Sequence, residues 1–211
     1  MTKTYSQTRT MVECALMIAA STVLSLISVP LLPHGGGVTL VSMLPILLVS
    51  YRHGLSWGLL TAFLNSMVQF IQGINNLAYC QTIAAQIGCI LLDYVLAFTV
   101  LGLACLFAKP FRSKAVGVGV STLIVCLLRY ASSVLSGYVV WKDYDYAFDW
   151  LTQFGWGEMI AGMGENALCW LYAFVYNALY MIPETIITAV VAVILVKAVP
   201  QMFQTQEKKP A

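Results

Sequence analysis

Six runs of apolar residues, most of them as long as a bilayer is thick, constrain this chain more than any motif in it. They cover Thr10–Leu32, Val38–Tyr51, Leu55–Ile71, Gln81–Phe107, Val116–Trp141 and Leu168–Val199. A spanning helix needs about 20 residues, so the second run is expected to be tilted, broken or partly re-entrant. The runs are continuous Leu, Ile, Val and Ala instead of alternating, which excludes a membrane barrel and selects helices that satisfy their own backbones. At 60% apolar and 9% charged residues the composition departs from that of a soluble domain. The sequence predicts an all-α integral membrane protein, a six-transmembrane-helix bundle forming a single membrane domain over 1–211. Its helices are expected at about 10–32, 38–51, 55–72, 81–107, 116–141 and 168–199. The first run continues at full length without an A-x-A-like site, so it is expected to remain as the first helix.

Charge sets the expected orientation. Lys3, Arg9, Arg52, Lys109, Arg112, Lys114, Lys197, Lys208 and Lys209 fall on one side of six alternating spans, while the opposite loops hold only Lys142. The positive-inside rule then puts both termini in the cytoplasm. The net charge of +2 reflects this topology and carries no sign of a nucleic-acid partner. The cysteines Cys14, Cys80, Cys89, Cys105, Cys126 and Cys169 have no C-x-x-C spacing and lie in or beside apolar runs. They read as buried small hydrophobes, with Cys80 and Cys169 the one pair placed where a disulfide could form. No Cys/His cluster suggests a metal, and no cofactor is expected.

Within the runs, polar residues stand where lipid penalises them. Arg129 is the costliest, since a cation at bilayer depth needs a partner or a ligand. Asn65, Gln69, Asp93, Tyr94, Asn177 and Glu184 share its situation, so a common cavity or pairwise salt bridges are implied. Arg129 is expected to neutralise Asp93 or Glu184, to contact a ligand, or both. Arg129, Ser133, Gly137 and Trp141 follow at four-residue spacing and therefore share one helix face, a binding wall with a hydroxyl, a small residue and an indole. Gly137 reads as room for a flat ring beside the backbone, and Tyr172, Tyr176 and Asn177 are placed to close the opposite side. Pro30 and Pro33 end the first helix, and His34-Gly35-Gly36-Gly37 reads as a gate over the cavity or as a tight turn. The aromatics between Trp141 and Trp156 suit either an interface belt or a lid over a cationic aromatic ligand. The tail from Gln204 to Ala211 reads as solvated. A Walker lysine loop, G-x-S-x-G and H-E-x-x-H are all missing, so an enzyme is not indicated and transport would draw on an ion gradient or on separate ATPase subunits.

Four blocks, in order, carry a family resemblance: Pro33-His34-Gly35-Gly36-Gly37-Val38-Thr39 through Pro45; Asp93-Tyr94 with the following Leu101-Gly102; Arg129-Tyr130 through Ser136-Gly137 to Trp141; and Tyr172 through Asn177 to Pro183-Glu184. Together they resemble the thiamine-specific substrate-binding subunit, or S-component, of energy-coupling factor (ECF) vitamin transporters, over about Thr10 to Val199. The resemblance implies a six-helix fold in a prokaryotic plasma membrane, with the vitamin captured outside under the loop between helices one and two. It implies as partners a transmembrane coupling subunit and two cytoplasmic ATPases, with Ala15 and Ala19 of helix one facing the coupling subunit. The implied ligand residues are Asp93 and Tyr94, Arg129, Ser133, Gly137, Trp141, Tyr146, Tyr172 and Asn177, with the Asp93 carboxylate balancing the thiazolium cation. Ser133 stands where the family often has histidine, Tyr146 where it has a second tryptophan, and the loop from Lys142 to Leu168 is longer. A thiamine precursor, a pyrimidine fragment or another cationic heteroaromatic therefore stays beside thiamine as a ligand class. The competing reading is a standalone proton- or ion-coupled carrier with Asp93, Arg129 and Glu184 as its relay.

Overall fold

The computed structural model describes residues 2–30, 32 and 36–203, with side chains from residue 7 onward. Among the described residues the regular structure is helical apart from one short hairpin. Helix α1 spans Thr2–Leu26, strands β1 and β2 are Ser28–Pro30 and Gly37–Thr39, and α2 and α3 span Leu44–His53 and Leu55–Gln72. A continuous helical rod follows over Ile83–Ala108, here α4, then α5 over Lys114–Val139. Two short helices, α6 (Tyr144–Thr152) and α7 (Gly157–Ile160), precede the long α8 over Glu165–Ala198. The first, fourth, fifth and last of the long helices are long and apolar enough to cross a membrane. This is an all-α integral membrane protein. Large apolar side chains such as Leu16, Ile83, Leu127 and Ile194 remain exposed on the outside of these helices, as a lipid-facing surface requires.

Two expectations about the first third of the chain are corrected. Helix α1 stops at Leu26, not near 32, because Ser28–Pro30 pairs antiparallel with Gly37–Thr39. Val29 opposes Val38 in that pair, and β-branched residues favour this extended pairing. The second helix begins at Leu44, not 38, with Pro45 in its first turn, where the missing N–H is no loss. Its 10 residues rise only about 15 Å, about half the thickness of a bilayer's hydrocarbon core. The hairpin takes up the chain that a longer helix would have used. His34 and Gly35 of the expected gate, and the tail from Gln204, lie outside the described residues.

Close packing through small residues holds the middle of the bundle. A Cβ on Gly58 would meet the Gly102 carbonyl oxygen at 2.8 Å, and one on Gly102 would meet that of Gly58 at 2.6 Å. The α3 and α4 backbones therefore touch in a way only glycine permits. Ser50 of α2, fully buried, donates to the Gly102 carbonyl at 2.7 Å and closes the three-helix contact. Between Ile90 and Leu96, α4 is wound as a π-helix. Such bulges re-aim side chains and recur at functional sites.

Candidate functional site

The π segment carries Asp93 and Tyr94, and it turns both toward a cavity of about 410 Å³ enclosed by α3, α4, α5, α8 and the hairpin. That volume is in the range of a small-molecule site. The Asp93 carboxylate accepts a 2.7 Å hydrogen bond from Ser136 Oγ and a 3.0 Å bond from the Trp141 indole N–H. Ser136, in the last turn of α5, and Trp141, just beyond it, both hold one carboxylate oxygen, Oδ2, leaving the charge itself unneutralised by any ion pair among the described residues. Tyr94 is locked in turn: its hydroxyl donates to the Gly73 carbonyl at 3.0 Å and accepts from Asn76 at 3.1 Å. The turn after α3 is thereby fastened to the cavity wall.

Arg129, Ser133 and Gly137 line the cavity from α5, and Trp141 lines it from just beyond the end of that helix. Arg129 pairs with Glu184, Nη1 to Oε2 at 3.5 Å, and not with Asp93. Its guanidinium lies 4.4 Å from the Phe98 ring centre, a cation–π contact from α4. The room expected beside Gly137 is filled: a Cβ there would meet Ala173 Cβ at 2.9 Å and Asn177 Nδ2 at 3.4 Å. Gly137 instead lets α8 approach α5. Asn177 donates to the Ala173 carbonyl at 2.9 Å and accepts from the Tyr180 hydroxyl at 2.7 Å, so its amide is held rigidly at the wall.

Tyr172 lines the cavity, whereas Tyr146 does not. Tyr146 packs edge-on against Tyr172, ring centres 5.9 Å apart at 88°, and Trp150 does the same at 5.3 Å and 87°. The resemblance puts Tyr146 among the ligand residues, but the first turn of α6 aims it at the back of Tyr172. Burial raises the Tyr146 phenol above its ordinary pKa. The aromatic stretch after Trp141 is therefore a packed cap: Ala147, Leu151 and Ile160 are fully buried beneath it. Sequence reasoning missed Ser25, Ser28, Gln72 and Asn76, which reach the cavity from helix ends and turns where no periodicity marks them. Cys80 and Cys169 are both free and buried, so the disulfide left open for them is not formed. Ala15 and Ala19 lie exposed on α1, away from the cavity.

A family model described as "Thiamine transporter protein" matches residues 11–151, more than half of the chain. The chain belongs to the thiamine transporter family. Thiamine transporter ThiT of Bacillus subtilis (strain 168) is 32% identical over 208 residues, covering 93% of this chain and 95% of that protein. Thiamine transporter ThiT of Lacticaseibacillus paracasei (strain ATCC 334) is 27% identical over 195 residues, 84% of each chain. The solved structure of ThiT from Listeria monocytogenes superposes with a TM-score of 0.70 over 94% of this chain and 99% of its own, at 21% identity, and so shares the fold. Membership in the thiamine transporter family makes the protein a transporter and not an enzyme.

Proposed function

We propose that this chain is the membrane-embedded binding subunit that captures thiamine on the outer side and hands it to an ECF module for uptake. The observation that carries the reading is the Asp93 carboxylate, fixed by Ser136 and Trp141 at the wall of a cavity lined by Tyr94, Trp141, Tyr172, Tyr176 and Tyr180. A negative charge framed by aromatic rings suits a ligand that is at once cationic and flat, as the thiazolium of thiamine is. The polar rim of Ser133, Asn177, Gln69 and Asn76 offers donors and acceptors for an aminopyrimidine. The Arg129–Glu184 pair supplies no net charge and leaves Asp93 to select the cation.

Six helices with both termini in the cytoplasm, in a prokaryotic plasma membrane, agree with the one-sided distribution of lysine and arginine. The exposed Ala15 and Ala19 give α1 a flat strip on which the coupling subunit docks, with two ATPases below it supplying the energy. Titration of the purified subunit with thiamine, followed by tryptophan fluorescence, tests the binding claim: saturable quenching is expected, and a flat signal would remove it. Uptake in cells lacking the ATPase module separates this role from an ion-coupled carrier. The subunit alone gives no uptake, whereas gradient-driven accumulation would establish the carrier.

A further inference from the structure

The hairpin is held to the bundle by the same carboxylate that balances the buried cation. Thr39 Oγ1, at the end of β2, donates to Glu184 Oε1, while Glu184 Oε2 faces Arg129 at 3.5 Å. Glu184 is 1% exposed and is the twentieth of the 34 residues of α8, so β2 reaches the middle of that helix. A threonine hydroxyl has one proton, and here it goes to the carboxylate. The 2.7 Å contact between Thr39 Oγ1 and Ser42 Oγ must then be donated by Ser42. The Ser42 carbonyl in turn accepts 2.7 Å from Ser21 of α1. Nearer the start of α8, the Tyr176 hydroxyl meets the backbone N–H of Gly36. Gly36, Gly37 and Thr39 all line the cavity, so among the described residues the hairpin forms part of its wall on this side.

Resting on the thiamine-binding reading, we propose that Thr39 and Glu184 form the latch of this hairpin and set how long a ligand stays in the cavity. Thr39 is a positioning residue here, since it acts through the hairpin. The bond is strong for a side-chain contact because its acceptor is a carboxylate, and that carboxylate is buried while Thr39 is half-buried. Opening the hairpin breaks it and leaves a buried carboxylate oxygen without its donor, which opposes release. Closing is not limited by it, because the bond forms only once β2 has arrived. The latch therefore acts on the off-rate and spares the on-rate.

The test compares Thr39→Val, which keeps the shape and removes the hydroxyl, with Thr39→Ser, which keeps the hydroxyl. Stopped-flow tryptophan fluorescence gives the thiamine on- and off-rates, and amide hydrogen exchange of the ligand-free protein reports detachment of the hairpin from α8 at Gly36, whose N–H faces Tyr176. Thr39→Val is expected to raise the off-rate about tenfold or more, the loss of a hydrogen bond to a charged group, with the on-rate within about threefold of the parent. It should also speed exchange at the hairpin. Thr39→Ser should match the parent in all three. An unchanged off-rate and unchanged exchange in Thr39→Val would overturn the latch, as would a serine variant as impaired as the valine one. If the parent itself shows no thiamine binding, the ligand assignment fails and the exchange comparison alone decides the latch: faster exchange in the valine variant upholds it and unchanged exchange overturns it.

Discussion

Replacing Asp93 by asparagine isolates charge from shape. The two donors that hold the side chain, Ser136 Oγ and the Trp141 indole, still find an amide oxygen, so the geometry of the wall should persist. The negative charge is what disappears. For a cationic ring about 4–6 Å from the carboxylate, at an effective dielectric near 20, the pair is worth about 3–4 kcal/mol. Each hydrogen bond from Ser136 and Trp141 also falls from a charge-assisted to a neutral one, which loosens the wall slightly and in the same direction. The dissociation constant for thiamine should rise about 100–1,000-fold. Folding should be preserved, because a buried charge is removed and not created. The assay is a fluorescence titration of both proteins with thiamine and with an uncharged analogue whose thiazolium is replaced by thiophene. The analogue should bind the two proteins within about threefold of each other. Thiamine binding that changes less than about threefold in the variant, or an equal loss for thiamine and the neutral analogue, would refute the claim that Asp93 recognises a cation.

Three further outcomes follow from the same geometry. Gly137→Val should drive α5 from α8, because its Cβ starts 2.9 Å from Ala173; a loss of about 1–3 kcal/mol is expected in thermal unfolding, and Ala173→Gly should restore part of it. Arg129→Met or Glu184→Gln alone should destabilise the protein by about 3–5 kcal/mol by leaving one buried charge unpaired, while the double variant recovers most of it; single variants that melt like the parent would contradict the pairing. Ala15→Trp or Ala19→Trp should leave thiamine binding of the purified subunit intact and abolish uptake by cells that carry the ATPase module; uptake that survives would move the coupling contact away from α1.

The helices and one wall of the site could be read from the sequence because both rest on simple periodicities. Apolar length marks the spans, and four-residue spacing puts Arg129, Ser133, Gly137 and Trp141 on a single face. What escaped is what depends on local departures from those periods. Leu26, Ile27 and Val29 carry the apolar run past the end of α1 with only Ser28 between them, so hydropathy alone cannot see that Ser28 and Val29 begin a strand. The π winding from Ile90 to Leu96 shifts the phase that places Asp93 against Trp141, 48 residues away, and no residue type announces it. Gly137 lines the cavity, but its missing side chain makes room for Ala173 of the neighbouring helix, which spacing within α5 cannot reveal. Tyr146, which the resemblance puts among the ligand residues, belongs to a helix of the outer segment that no hydropathy run marks. Arg129 had two acidic candidates within the membrane, and only the packing of α5 on α8 decides for Glu184.

The central claim is that the cavity walled by Asp93, Trp141, Tyr172 and Asn177 holds thiamine. Mass spectrometry of the small molecule that co-purifies with the protein from cells grown on thiamine addresses it most directly. The account predicts thiamine at about one molecule per chain in the parent, and little or none in the Asp93→Asn variant. A neutral or anionic compound in its place, or equal thiamine in both proteins, would contradict it.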